Sequence, residues 1–254
     1  MSETSSPQRT TIDDVIARLD DIIRLARSEQ SPIGFFPALY RKVTIKVKEG
    51  IADGFFDDGA RMEKLDVVFA NRYLAAFELS REGRQPTQSW ALAFQAAHRW
   101  WPVALQHLLL GINAHINLDL GVAAARTAPG DALPALQDDF NKINRILASL
   151  VDEVQAELAQ IWPLLSLLDR VGGNTDEAVI NFSMERARDH AWSVAERMAR
   201  LAEPEQEAEI KRLDVAVAEI GTRVRHPGVL IGTVLRLVRI GERGSVASKI
   251  DILS

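Results

Sequence analysis

The sequence predicts an all-α fold, a single-domain bundle of about eight or nine helices, and three observations carry that expectation. Apolar residues recur at i, i+3, i+4 and i+7 along most of the chain. Clusters of Gly, Pro, Asn and Asp punctuate those periodic segments at helix-like intervals. Only Ile112–Leu120 alternates with the period of a strand, and that run continues without a breaker from Pro102 to Arg126 and is rich in Leu and Ala, which favours helix.

Residues 1–10 read as a disordered leader, residues 11–241 as the helical domain and residues 242–254 as a C-terminal tail. Thr11 with Asp14 three residues on forms a capping-box start. Ile12, Val15, Ile16, Leu19, Ile22, Ile23 and Leu25 then follow at helical spacing as an apolar stripe, which Ser31-Pro32-Ile33-Gly34 ends. A second helix is expected from about 37 to 52, with Leu39, Val43, Val47 and Ile51 on a stripe. A third is expected from about 60 to 81, carrying Met62, Leu65, Phe69, Tyr73 and Ala76. Thr87 is placed to cap a short helix over 89–100. A long apolar helix follows with Pro102 in its first turn, where a missing N–H costs nothing. Another starts near Pro134, with breaks expected at Trp162-Pro163 and Gly172-Gly173. Thr175 opens the next, reaching about 201, and Pro204 and Pro227 mark the first turns of two more.

With 254 residues the chain is long enough to bury a sizeable core, and 47% apolar with 26% charged residues is the balance of a soluble globular protein. A net charge of -5 argues against general nucleic-acid binding, which needs a marked excess of Lys and Arg. Without cysteine there are no disulfides, thiolate ligands or thiol nucleophiles, which fits a reducing compartment. The polar first nine residues lack the apolar core of a signal peptide. A cytoplasmic protein with no membrane span is the expectation, with a small-molecule ligand and homo-oligomerisation as its candidate partnerships.

The chemistry concentrates in Gln106-His107-Leu108-Leu109-Leu110-Gly111-Ile112-Asn113-Ala114-His115-Ile116-Asn117-Leu118-Asp119-Leu120-Gly121. Between Trp100 and Ala125 there is no Lys, Arg or Glu, so this helix has no ordinary solvated face. Its polar residues must sit partly inside the protein, where each needs a partner. His115 and Asp119 share a face at i, i+4. That pair can supply an imidazole and a carboxylate to a divalent metal such as zinc, or be a His whose orientation an Asp fixes. His107 lies about 12 Å further along the axis at roughly 1.5 Å per residue, too far to share an ion with His115 on a straight helix. Asn113 and Asn117 form a second pair on another face, suited to bonding carbonyls of neighbouring helices. On the third helix Asp66 and Tyr73 face one way, and Arg72 within an apolar turn seeks a carboxylate, with Asp119 a plausible partner. Such a pairing removes Asp119 from any metal. Asp138 and Asp139 suit the dipole of a helix start. His190, near Arg186 and Arg188, is a solvated His or a further metal ligand; His98 and His226 read as surface residues. The segment from Arg223 onward is locally basic, with an apolar side.

The strings LDVVFANRYLAAF (65–77), QHLLLGINAHINLDLG (106–121), DFNKIN (139–144) and ARDHAW (187–192) resemble an uncharacterised bacterial domain-of-unknown-function family, over about residues 11–240. The resemblance implies an all-helical single domain and no established activity. A looser similarity connects His115-x-x-x-Asp119, with His107 before it, to helical zinc enzymes of the phospholipase C and P1 nuclease type. Gly111 stands where those enzymes carry Asp, and their N-terminal Trp ligand has no counterpart.

Two function classes follow. One is metal-assisted or His-based hydrolysis of a small ester or phosphoester in an internal site. There His107, His115, Asp119, Asp66, Arg72 and Tyr73 are the candidate catalytic residues, and His115 and Asp119 the candidate metal ligands. The other is a non-catalytic scaffold or interaction protein whose polar cluster fixes helix register.

Overall fold

A computed structural model describes residues 9–161 and 184–254. Those residues form ten helices and no strand: α1 (Ile12–Ser28), α2 (Phe35–Ala52), α3 (Gly59–Arg81), α4 (Gln88–Ala96), α5 (Ala104–Thr127), α6 (Gln137–Ile161), α7 (Met184–Met198), α8 (Glu203–Arg225), α9 (Val229–Gly241) and α10 (Val246–Leu253). Short 3₁₀ turns, Pro32–Gly34 and Gly130–Leu136, lead into α2 and α6. The expected count was slightly low. The segment after 241 is not a tail but α10, which buries Ile250 and Leu253 against α1, α2 and α6. The expected breaks at Trp162-Pro163 and Gly172-Gly173 lie outside the described residues.

Local sequence sets most helix ends. The Thr11 hydroxyl accepts from Asp14 N–H while the Asp14 carboxylate accepts from Thr11 N–H, a reciprocal cap. Just before it, Arg9 is tied down rather than free, exchanging backbone bonds with the Asn71 amide at 2.9 Å each. Pro204 sits in the first turn of α8, where proline is tolerated. Helix α5 instead begins two residues after Pro102.

Two ends are capped from a distance, which the local sequence did not indicate. Thr87 makes no side-chain cap; Asp214 of α8 accepts from Gln88 N–H at 2.6 Å and Ser89 N–H at 2.9 Å. Asp139 is wholly buried, not merely a dipole companion. It accepts from the N–H groups of Asp57 (2.7 Å) and Asp58 (3.0 Å) and from Arg61 and Lys142. Burial raises its carboxyl, but these donors outweigh that and hold it below the usual range.

Helix α5 is the axis of the molecule. Ala104–Thr127 is long and apolar enough to cross a bilayer, yet 94% of its apolar window is buried within the protein, as in a core helix. The largest apolar cluster joins α5 to residues of α1, α2, α3, α6, α7 and α8. Two glycines of α5 permit close approaches. A Cβ at Gly111 would lie 2.6 Å from the Phe36 ring, and one at Gly121 would lie 2.6 Å from the Ala191 carbonyl oxygen of α7. The middle of α5, Asn113–Leu120, is a π-helix, a widened turn that often marks functional positions. All eight of its residues are buried.

Candidate functional site

The alternation Asn113, His115, Asn117, Asp119 acquires its meaning on this buried helix. Positions two apart lie on nearly opposite sides of the helix, so the four polar residues split into two stripes. The Asn stripe faces α8, where Asn113 Nδ2 donates to the Val217 carbonyl at 2.9 Å and Asn117 Nδ2 donates to Asn113 Oδ1 at 2.9 Å. The His–Asp stripe faces α2, α3 and α4.

Asp119 is fully engaged. Its Oδ1 accepts from Arg72 Nε at 2.6 Å and its Oδ2 from Trp90 Nε1 at 2.8 Å. Burial raises this carboxyl, but Arg72 and the hydrogen bonds prevail and keep it below its ordinary value. The Arg72–Asp119 pairing expected from sequence is present. It also takes Arg72 away from any anionic substrate group, since Arg72 does not border the cavity described below.

His115 sits in an aromatic cage. Its ring stacks on Phe69 with centroids 3.5 Å apart and planes 13° from parallel. Tyr40 meets it edge-on at 4.4 Å and Phe36 at 5.4 Å. Its Nδ1 is 3.9 Å from Asp119 Oδ2, beyond hydrogen-bond reach, and neither ring nitrogen has a partner. Burial pushes the imidazole below its usual value although Asp119 pulls the other way, so the ring is neutral.

Beside this cage lies a cavity of about 620 Å³ between α2, α3, α5, α6 and α7. Leu39, Val43, Val47, Leu65, Ile116 and Ile143 are among the side chains that make its wall mostly apolar. Tyr40, Asp66 and His115 bring polar groups to it from α2, α3 and α5, and Asn144 and Arg188 from α6 and α7. Asp66 is buried, its Oδ2 has no partner, and burial, with the nearby Glu63 charge, pushes its carboxyl up to about 7. The Tyr40 hydroxyl is also unpartnered, and burial beside Asp66 raises the phenol.

The sequence-nominated residues therefore divide. His115 and Asp66 border the cavity; Asp119 and Arg72 stand behind His115, paired to each other. Tyr73 lies off the cavity against Phe36 and Trp90, its hydroxyl unpartnered and its phenol raised by burial. His107 does not converge with His115. It packs against Phe35 at 5.9 Å, near Glu242, Arg239 and Lys249, and burial pushes it down to about 4. His98, His190 and His226 are not buried, and none of them borders the cavity. Among the described residues no group of three or more His, Asp or Glu is placed to hold a metal ion. Both Asp119 oxygens are engaged by Arg72 and Trp90, the arrangement in which the carboxylate serves Arg72 and not an ion.

The sequence reading overlooked Tyr40, Phe36 and Phe69 as the walls around His115, and Arg188 and Asn144 as a polar pair on the cavity. The latter two lie in the ARDHAW and DFNKIN strings, so a signal was present. Their exposed-looking helical spacing concealed it.

Fold and site together define an all-helical protein built around a buried π-helical segment, with a mostly apolar cavity beside it. The chain belongs to the family of unknown function DUF5995, whose model matches residues 12–227. No curated protein and no solved structure matches it. The looser similarity to helical zinc phospholipases and nucleases is not supported.

Proposed function

We propose that this protein binds an apolar small molecule in the cavity flanking His115. One observation carries the reading: a mostly apolar space of about 620 Å³ lined in part by Tyr40, Asp66 and His115, three buried residues each carrying a side-chain polar atom without a partner. The volume falls within the roughly 300–1,000 Å³ common for small-molecule sites. Buried polar atoms left unpaired cost about 1–3 kcal/mol each, a cost that a ligand's polar group removes. Asp66 with its raised carboxyl supplies a donor, and neutral His115 supplies both a donor and an acceptor.

The scaffold class retains a part within this reading. The Arg72–Asp119–Trp90 set and the two Asn residues act as its structural network. Hydrolysis has less support. The metal route lacks a donor set among the described residues, and no Ser or Thr is among the described residues bordering the cavity to serve as a nucleophile. Water activated by neutral His115 is the remaining hydrolytic form.

Titration with the uncharged fluorophore Nile red tests the reading. Saturable binding at one site per chain, weakened at least tenfold in Val43→Trp, which fills the cavity, is the expected result. Failure of the wild-type protein to bind, or equal binding by Val43→Trp, overturns it.

A further inference from the structure

Arg188 is the least expected side chain bordering the cavity. It is 3% exposed, and among the described residues it forms no ion pair with a carboxylate. Its Nε donates to Asn144 Oδ1 at 2.6 Å, an Nη donates to the Phe140 carbonyl, and its Cζ lies 4.4 Å over the Phe140 ring. Those contacts position the guanidinium without neutralising it. A guanidinium has five N–H donors in a planar fork matched to a carboxylate, so capacity for an anion is left over. Burial draws this group down only to about 10, so it is charged at neutral pH. Taking such a charge out of water is costly unless an anion joins it.

We propose that Arg188 receives the carboxylate of a long-chain aliphatic acid whose tail occupies the apolar cavity, an assignment that rests on the cavity being a ligand site. Two features narrow the class. Arg188 is the single cation among the described residues bordering the cavity, and Glu185 also borders it, which suits a monoanion better than a phosphate dianion. The wall beyond Arg188, including Ile143, Leu147, Leu39 and Val43, is aliphatic and complements a hydrocarbon tail. A monocarboxylate is therefore preferred over a dicarboxylate.

The test is displacement of Nile red at pH 7.4 by palmitate, hexadecanedioate and 1-hexadecanol, using wild-type protein and the Arg188→Lys and Arg188→Met variants. The wild type should prefer palmitate over both competitors by at least tenfold. Arg188→Met should collapse the palmitate-to-hexadecanol ratio to near one, and Arg188→Lys should retain part of it. A wild type that takes hexadecanol as tightly as palmitate refutes the carboxylate assignment, as does an unchanged ratio in Arg188→Met. Both results leave the cavity reading intact, because Nile red itself reports on that. Should Arg188→Met fail to fold, the wild-type ratio and its change in Arg188→Lys decide. Loss of Nile red binding by the wild type sinks the cavity reading and this assignment together.

Discussion

Replacing Asp66 by Asn exchanges a buried carboxyl for a neutral group of nearly the same shape, and the consequence for stability has a definite sign. In the folded chain the carboxyl holds its proton up to about 7, against an ordinary value of 3.8. The folded state therefore binds that proton more tightly than the unfolded state does. Its stabilising contribution is full below 3.8 and is lost as pH rises through about 7. The separation between 3.8 and about 7, at about 1.36 kcal/mol per pH unit, sets a ceiling of about 4 kcal/mol. Between pH 5 and pH 8 the portion lost is about 2.5 kcal/mol, or about 5–10 °C of melting temperature for a chain of this size. The substituted amide cannot ionise, so Asp66→Asn should lack this component of the pH dependence and gain on wild type as pH rises. Urea denaturation midpoints and melting curves of both proteins at pH 5, 6, 7 and 8 measure the difference, and every other titrating group cancels between them. Parallel pH profiles for the two proteins would refute the idea that burial without a partner governs this carboxyl.

Three further outcomes are expected. Arg72→Ala and Asp119→Asn should each destabilise by about 3–5 kcal/mol, because each strands a buried partner, with the double variant costing less than the sum in a denaturation cycle. His107→Leu should make the protein more acid-resistant. The folded imidazole is depressed from 6.5 to about 4, so its contribution is present above 6.5 and lost as pH falls from there, by about 3 kcal/mol at most. Equal acid unfolding midpoints in the two proteins would contradict this. Gly121→Ala places a Cβ 2.6 Å from the Ala191 carbonyl oxygen, so α5 and α7 must separate. A loss of about 1–3 kcal/mol by calorimetry is expected, and an unchanged melting temperature would show that the approach is not tight.

Much of this architecture is legible in the sequence because it depends on short-range spacing. The Thr11–Asp14 cap, the apolar stripe of α1 and the first-turn proline of α8 are local and recur in the structure as read. The burial of α5 follows from the absence of Lys, Arg and Glu between Trp100 and Ala125, since a helix with no charged face has to be surrounded. That Asp119 needs a cation, and that Arg72 needs a carboxylate, follows from the cost of burying either alone.

Which groups meet across the fold is a different matter, because spacing along one helix carries no information about its neighbours. His107 and His115 share α5 yet face separate environments, and Asp214 caps α4 across more than a hundred residues of chain. Arg188 is indistinguishable from a surface arginine until α6 and α7 close over it. Sequence alone determined that this protein is helical and must keep polar chemistry in its interior, because local periodicity and desolvation cost are properties of the chain itself. Tertiary packing alone decided that His115, Asp66, Tyr40 and Arg188 border one apolar cavity while Asp119 is held by Arg72 and Trp90, because those contacts depend on how separate helices are set against one another.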